Sequence, residues 1–404
     1  MASKHRLYLF STPEWLQPCA TMKAYESPKV KCDGANPPVG AGRPRPQKIK
    51  LPNEPSNSLK TLESASQPLR TAVTIAIPTL AAGPLLESCL RALKGQTFRD
   101  FDLAIINNGP DPLSPTITTL FPGCHILSPG ANVGFAAAVN LAIRATSSPY
   151  IATLNDDTEP DPEWLSALIA EMESDPRIGM CASQIRLFET GRLDSAGMRI
   201  CLDGSSKQRG QSQPPSAYSR SEDVLFPSAC AALYRRQLLD EIGLFDEDYF
   251  LYCEDTDLGL RARWAGWRCR YVSGATVRHH YSRTAGAVSP LKARFVERNR
   301  LWVAIGNFPV MVLIMVPFVS LARYFWQFVA LRNQRGAASE FVRAGNSLFT
   351  VIGILARAYW ETLLHLPSLL RKRAARRSAR RIASTEFIRL LRRHRITAKE
   401  LARV

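Results

Sequence analysis

The chain has 404 residues, 46% of them hydrophobic and 22% charged, proportions that exclude a wholly disordered polymer, a collagenous fibre and a small disulfide scaffold. Its net charge of +17 sits at the ends: Lys and Arg outnumber Asp and Glu by 11 to 5 in residues 1–70 and by 13 to 2 in residues 371–404, and the two balance at 28 each in between. That distribution disfavours a nucleic-acid surface spread over the fold and favours terminal segments drawn to an acidic partner, with anionic lipid the first candidate. The nine cysteines are odd in number and form no CxxC pair, so neither structural zinc nor a secreted disulfide framework is indicated, and a reducing compartment is expected.

Ten of the 28 prolines fall in residues 1–70, which lack periodic apolar patterning and read as a basic, Pro-rich disordered leader. The apolar run LYLF near the start is too short for the core of a signal peptide. Order begins at Thr71 with TAVTIAIPT, a β-branched run suited to a buried parallel strand, and LLESCLRALKGQ follows as a helix. FDLAIINNG at 101–109 and CHILSPG give further strands, NVGFAAAVNLAIRA a helix, and YIATLNDD at 150–157 another strand. Strands alternating with helices of this length predict an α/β fold with a doubly wound sheet, whose ligands sit outside the carboxyl ends of the strands. Residues 161–175 form the next predicted helix, and the Ser/Gly/Gln/Pro-rich stretch 199–222 reads as a mobile loop over the sheet edge. YRRQLLDEIG ends as a helix at Gly243, DTDLGLRARWAGW as a second near Gly266, and CRYVSGATVRH supplies a strand and turn.

From Leu301 to Ala322 no residue is charged, a length that can cross a bilayer, although Asn307, Pro309 and Pro317 interrupt it. AGNSLFTVIGILA at 344–356 suits an interfacial or buried helix better, and a helical hairpin packed on the folded body is the alternative for both segments. Residues 371–404 can form a basic amphipathic helix of the kind that favours the cytoplasmic face of a membrane. The expected domains are therefore a leader (1–70), a catalytic-sized body (71–300), a membrane-associated helical region (301–370) and an Arg-rich tail (371–404). The region is expected to be peripheral or to span with one or two helices.

Three clusters can carry chemistry. Asn155-Asp156-Asp157 follows an apolar strand, and carboxylates at a strand end suit a hard divalent cation bridging phosphates; an Asx turn would use the same residues. Glu254-Asp255 lies where an aromatic-rich segment meets a helix start, where a carboxylate can take a proton from a hydroxyl or simply cap the helix. His279-His280 ends a strand, so the two side chains diverge and one of them is expected to face the same cation as Asp157. A weaker fourth element is Asn132-x-Gly134-Phe135 with Asn140, a turn before an Ala-rich helix where Gly134 permits close approach of nucleotide or sugar.

Taken together, IPT at 77–79, INNG at 106–109, NVGFAAAVN at 132–140, LNDDT at 154–158, LFDEDYFLYCEDTDLGLRARWAGW at 244–267 and ATVRHH at 275–280 resemble the inverting family 2 glycosyltransferases. The likeness is to the bacterial rhamnosyltransferase-like, membrane-associated members, and it covers about 71–300. It implies a GT-A type doubly wound mixed sheet with helices on both faces, followed by apolar helices and the basic amphipathic tail. It also implies a nonprocessive enzyme, since RARWAGW stands where processive relatives carry a QxxRW-like segment.

By that resemblance Asp157 is the metal-coordinating end of a DxD-like motif, Asn155 its first position, and Asp156 lies near the donor ribose or sugar. Asp255 is implied as catalytic base with Glu254 its acidic neighbour, His279 as second metal ligand, and Pro78 and Asn107 as lining the nucleobase pocket. Asn107 replaces an Asp and Asn155 departs from the DxD pattern. The implied reaction is inverting, Mg²⁺- or Mn²⁺-dependent transfer of a sugar, rhamnose being one candidate, from a nucleotide-diphospho-sugar. The acceptor is expected to be a hydroxyl of a glycan or polyprenyl-diphosphate-linked molecule in cell-envelope polysaccharide synthesis. Competing readings are a nucleotidyltransferase, for which no Gly- and Lys-rich phosphate loop follows the first strand, and a noncatalytic sugar-binding or membrane scaffold. Arg261 or Arg263 could reach an acidic acceptor, helix solvation being the default for at least one of them.

Overall fold

The computed structural model describes residues 71–81, 83–280, 289–334 and 336–403. The leader expected at 1–70 lies outside the described residues, and a compact unit begins at Thr71. Its amino-terminal half alternates strand and helix: β1 (Val73–Thr79), α1 (Pro84–Lys94), β2 (Phe101–Asn107), α2 (Pro115–Leu120), β3 (His125–Leu127), α3 (Gly134–Ala145) and β4 (Tyr150–Leu154). Next come β5 (Thr158–Pro160), α4 (Trp164–Ser174), β6 (Ile178–Leu187), β7 (Leu193–Ser195), β8 (Met198–Ile200), β9 (Ser206–Gln208), β10 (Glu222–Asp223), β11 (Ala231–Arg235) and α5 (Arg236–Ile242). The catalytic-sized body closes with α6 (Glu254–Trp264) and β12 (Arg268–His279), and the next described helix is α7 (Pro290–Asn307).

The main sheet has the order β10-β12-β6-β11-β4-β1-β2-β3. Pairing is parallel for β1 with β2 and β4, β2 with β3, and β6 with β12, whereas β11 runs antiparallel between β4 and β6. The doubly wound mixed sheet expected of the sequence is therefore present. Its two faces bury separate clusters, one around Ile75, Leu90, Trp164 and Leu168, the other around Ala138, Ile151, Leu239 and Leu258. Because β6 and β12 point the same way as β1 and β4, the ends of β4, β6 and β12 and the start of β11 share one rim.

The stretch 199–222 departs from the expected mobile loop. It holds the β8–β9 hairpin, and Asp203 at its tip is fully buried. Polar composition suggested solvent, but these polar groups have protein partners: Ser206 Oγ accepts from Thr256 Oγ1 at 2.8 Å.

The carboxyl-terminal part is helical: α8 (Val310–Leu313), α9 (Val316–Arg332), α10 (Gly336–Arg343), α11 (Leu348–Ala375), α12 (Ser384–Arg393) and α13 (Ala398–Arg403). The uncharged run 301–322 is not one helix. Its first turns finish α7, with Trp302, Val303 and Ala304 buried, and the chain breaks at Phe308-Pro309 before α8. The amphipathic tail forms as α12, but its apolar side is covered by protein: Phe387 stacks on Trp264 at 4.0 Å between ring centroids and packs with Leu391 in a third core cluster.

Candidate active site

Strand register brings the first and third clusters together. β5 pairs antiparallel with β12 so that Thr158 lies opposite His279, and the His280 amide donates to the Asp157 carbonyl at 2.9 Å. Alternation along β12 then turns the two histidines apart. His279 Nε2 lies 3.2 Å from Asp157 Oδ1, both side chains buried, while His280 stacks on Phe188 and reaches Glu159 at 3.4 Å.

The second cluster joins through the residues before β11. The Cys230 carbonyl accepts from the Asn155 amide at 2.8 Å, and the preceding Ala229 amide donates to Asp255 Oδ2 at 3.3 Å. The other oxygen, Asp255 Oδ1, accepts from the Thr256 amide at 2.6 Å, which fixes the carboxylate at the first turn of α6. Burial pushes the Asp255 pKa up, against the pull of these donors. Glu254, buried beside it, is raised well above its ordinary value by burial and then by the Asp255 charge.

The loop that presents Asp255 is strained. Phe250, Tyr252 and Cys253 sit at φ 63°, 68° and 69°, conformations that cost L-residues energy and persist where surroundings impose them. Asn299 of α7, fully buried, imposes them: its amide donates to the carbonyls of Tyr249, Leu251 and Tyr252 at 3.1, 2.9 and 2.7 Å. Nothing local in the sequence marks Asn299, because its partners lie some fifty positions earlier.

Asp194 on β7 was equally hidden. Its Oδ2 sits 2.9 Å from His279 Nδ1, leaving Nε2 turned toward Asp157. A carboxylate behind an imidazole is the arrangement that fixes the tautomer of a metal-ligating histidine. Burial works against a charged imidazole, but Cys230, Asp157 and Asp194 around the ring raise its pKa well above the usual value.

Asp156 is pushed up to about 6 by burial, with the Asp157 charge adding to the effect and a Thr79 hydrogen bond opposing it. Asn155 uses its backbone within the site, donating to Cys230 and accepting from Thr158 Oγ1 at 2.6 Å. Pro78 and Asn107 stand at the same rim, at the ends of β1 and β2. The Asn107 amide nitrogen donates to the Asp111 carbonyl at 2.8 Å and its oxygen accepts from the Gly109 amide at 3.3 Å, so the side chain is engaged in its own turn.

Asn108, rather than Asn107, reaches the fourth element: its amide donates to Asn132 Oδ1 at 3.1 Å and its oxygen accepts from the Val133 amide at 2.9 Å. Gly134 adopts φ +83°, and a Cβ there would fall 2.3 Å from the Phe250 carbonyl. The close approach it permits is to the strained loop before Asp255. Asn140, buried on α3, holds Phe245 through both its amide groups. Arg261 and Arg263 are both buried and bonded within the fold. Arg261 pairs with Asp257 at 2.8 Å and donates to the carbonyls of Ile242, Gly243 and Leu244, while Arg263 donates to the Trp267 carbonyl.

A divalent cation fits this donor set by one geometric criterion. Adjacent ligands of an octahedral ion with bonds of about 2.1 Å stand about 3.0 Å apart. The Asp157–His279 separation of 3.2 Å matches that spacing. Among the described residues no cluster of three or more His, Cys, Asp or Glu side chains could hold a metal by itself, so further ligands would have to come from substrate or water.

This mixed sheet, with a carboxylate-rich rim at the ends of its parallel strands, has the GT-A fold. It is similar to the crystal structure of GalNAc-T7 with UDP, GalNAc and Mn²⁺, at TM-score 0.51 and 13% identity, over 64% of this chain and 51% of that one. Residues 74–243 match the glycosyl transferase family 2 model. The match ends before Asp255 and His279.

Two relatives come from Mycobacterium tuberculosis. N-acetylglucosaminyl-diphospho-decaprenol L-rhamnosyltransferase is 29% identical over 236 residues, 52% of this chain and 76% of the relative. Pre-mycofactocin glycosyltransferase is 27% identical over 320 residues, 76% of this chain and 65% of the relative.

Proposed function

We propose that the protein transfers a sugar from a nucleotide-diphospho-sugar to a hydroxyl with inversion at the anomeric carbon. Asp255 takes the proton from the acceptor hydroxyl, whose oxygen attacks the anomeric carbon while the bond to the nucleoside diphosphate breaks on the opposite face. Asp157 and His279 would hold Mg²⁺ or Mn²⁺, which when bound neutralises charge gathering on the departing diphosphate. Asp194 keeps the His279 ring in the orientation that directs Nε2 to this position. Asn155 and Asp156 face the donor sugar and ribose, and Pro78, Asn107 and the Asn132–Gly134 turn border the nucleotide.

The single observation that carries this reading is the meeting of Asp157 and His279 at 3.2 Å on the rim where Asp255 is tied to the same backbone segment, Ala229–Cys230. The mycobacterial relatives make rhamnose the first sugar to test, with a glycan or polyprenyl-diphosphate-linked acceptor and a role in cell-envelope polysaccharide synthesis.

A panel of nucleotide sugars, read by release of nucleoside diphosphate with and without Mg²⁺ or Mn²⁺, tests donor and metal together. Asp255→Asn is expected to bind the active donor normally and to transfer about 10²–10⁴-fold more slowly, the usual worth of a positioned base. Equal turnover would remove Asp255 from this role. Asp157→Ala is expected to abolish the metal dependence of donor binding.

A further inference from the structure

Helices α8, α9 and α11 reverse the rule that a soluble protein's helices follow. Their inward sides carry polar groups and their outward sides are apolar. On α8 and α9, Val310, Ile314, Phe318, Leu321, Phe325 and Phe328 recur at helical spacing and are exposed, Phe318 by 64% and Phe325 by 59%, while Ser320 and Arg323 are buried. α11 does the same, with Phe349 85% and Trp360 61% exposed and Thr362 and Arg373 buried. Among the described residues, all the exposed large hydrophobics except Ile126 and Phe188 lie between Val310 and Leu370. A patch on that scale marks a covered surface.

Val310–Arg332 has the length and hydropathy to cross a bilayer, but its anchoring opposes it. Arg323, well inside the segment, pairs with Asp203 of the β8–β9 hairpin at 2.6 Å and with Glu297 of α7 at 2.7 Å. Arg300 of α7 joins them, donating to Glu297, to the Asp203 carbonyl and to Ser320 Oγ. Burial would raise the Glu297 carboxyl, yet Arg323 and Arg300 hold it at about 2. A helix crossing the membrane would carry this charged lattice into hydrocarbon, together with the hairpin whose Ser206 bonds Thr256 beside Asp255.

Charge identifies the occupant. Between Val310 and Arg371 the only acids are Glu340 and Glu361, and Glu361 is taken up by Arg294 and Arg357. Arg332 and Arg343 are exposed at the ends of α9 and α10, Arg371 is exposed on α11, and Lys399 lies over the Trp326 ring at 4.6 Å. Apolar faces bordered by unopposed cations fit anionic lipid.

We propose that α8, α9 and α11 lie in the plane of an anionic bilayer, with their apolar faces in the headgroup–acyl boundary and without crossing it. The docked plane is coupled to the reaction site through α7, which holds the charged lattice at Glu297 and Arg300 and the Asp255 loop at Asn299. The inference stands apart from the identity of donor and acceptor, since it is read by lipid binding.

Two measurements on the full chain test it. In flotation with phosphatidylcholine vesicles containing phosphatidylglycerol, the wild type is expected to bind and the double variant Phe325→Asp/Phe349→Asp at least tenfold more weakly, with unchanged donor hydrolysis in solution. Undiminished binding by the variant overturns the face. So does failure of the wild type to bind together with a dimer that the same substitutions dissociate, which would assign the face to a second copy.

Orientation is read in sealed inverted membrane vesicles with an impermeant thiol reagent, against the wild-type background. Asn333→Cys and Ala344→Cys, beyond α9, are expected to label as readily as Glu173→Cys on the catalytic body. Labelling of the first two only after detergent overturns the in-plane arrangement in favour of a span.

Discussion

Two neighbouring carboxyls near the start of α6 are held in opposite states by their surroundings. Asp257, fully buried, would be raised by burial, but Arg376 and Arg261 keep it well below the usual range. Among the described residues Glu254 has no such cation, and its Oε2 has no hydrogen-bond partner. A carboxyl whose folded pKa is raised contributes stability that is complete below its unfolded value, near 4.5, and is lost as pH rises through the folded value. Glu254→Gln removes that ionisation, so the variant's melting temperature relative to wild type is expected to climb between pH 4 and pH 9. A difference that stays flat with pH would show that Glu254 is not held protonated. The raised Asp255 pKa has a kinetic counterpart: kcat/KM is expected to fall with acid through a value above the ordinary 3.8 of an aspartate. Asp157, Asp255 and His279 could be singled out in the sequence because each stands beside another polar residue at the end of an apolar run. Asp194 could not, since its link to His279 spans 85 positions and only folding creates it.

At the scale of elements, the loop from Phe250 to Cys253 depends on two distant supports, Gly134 beneath it and Asn299 behind it. Gly134→Ala would combine left-handed strain, about 1–2 kcal/mol, with a collision against the Phe250 carbonyl. Chemical denaturation is expected to report a loss above that figure. Asn299→Ala strips amide donors from three backbone carbonyls, that of Tyr249 buried, and is expected to cost about 1–3 kcal/mol while lowering the rate of transfer more than donor affinity. Preserved turnover in a destabilised Asn299→Ala protein would show that the loop holds Asp255 without α7. The strands and helices up to Ala145, the short α2 apart, were legible because β-branched runs and apolar periodicity encode them locally. The β8–β9 hairpin was not, for its polar residues look like solvent-facing loop until Arg300, Arg323 and Thr256 arrive as partners.

Across the whole molecule, the boundaries drawn at 300 and 370 mark changes of composition that the packing ignores. α7 runs through the first, and α11 runs through the second on to Ala375. Residues 371–404 were read as a tail for lipid, but Lys372 and Arg376 pair with Asp246, Arg373 donates to the carbonyls of Ile305 and Phe308, and Phe387 covers Trp264. Deleting them is expected to destabilise the catalytic body by at least the roughly 3–5 kcal/mol that loss of a buried ion's partner costs. A truncated chain with unaltered thermal unfolding would refute that. Charge runs were legible as charge; which of those arginines are structural depends on acids more than a hundred residues upstream.

The Asp257–Arg376 pair also sets a timetable for biosynthesis. The carboxylate is translated 119 residues ahead of its guanidinium. At about 5–20 residues per second the nascent chain waits roughly 6–24 s before Arg376 can join Arg261 on that carboxylate. Until then the enzyme's centre stays unfinished on the ribosome, and a chaperone has that interval in which to guard it.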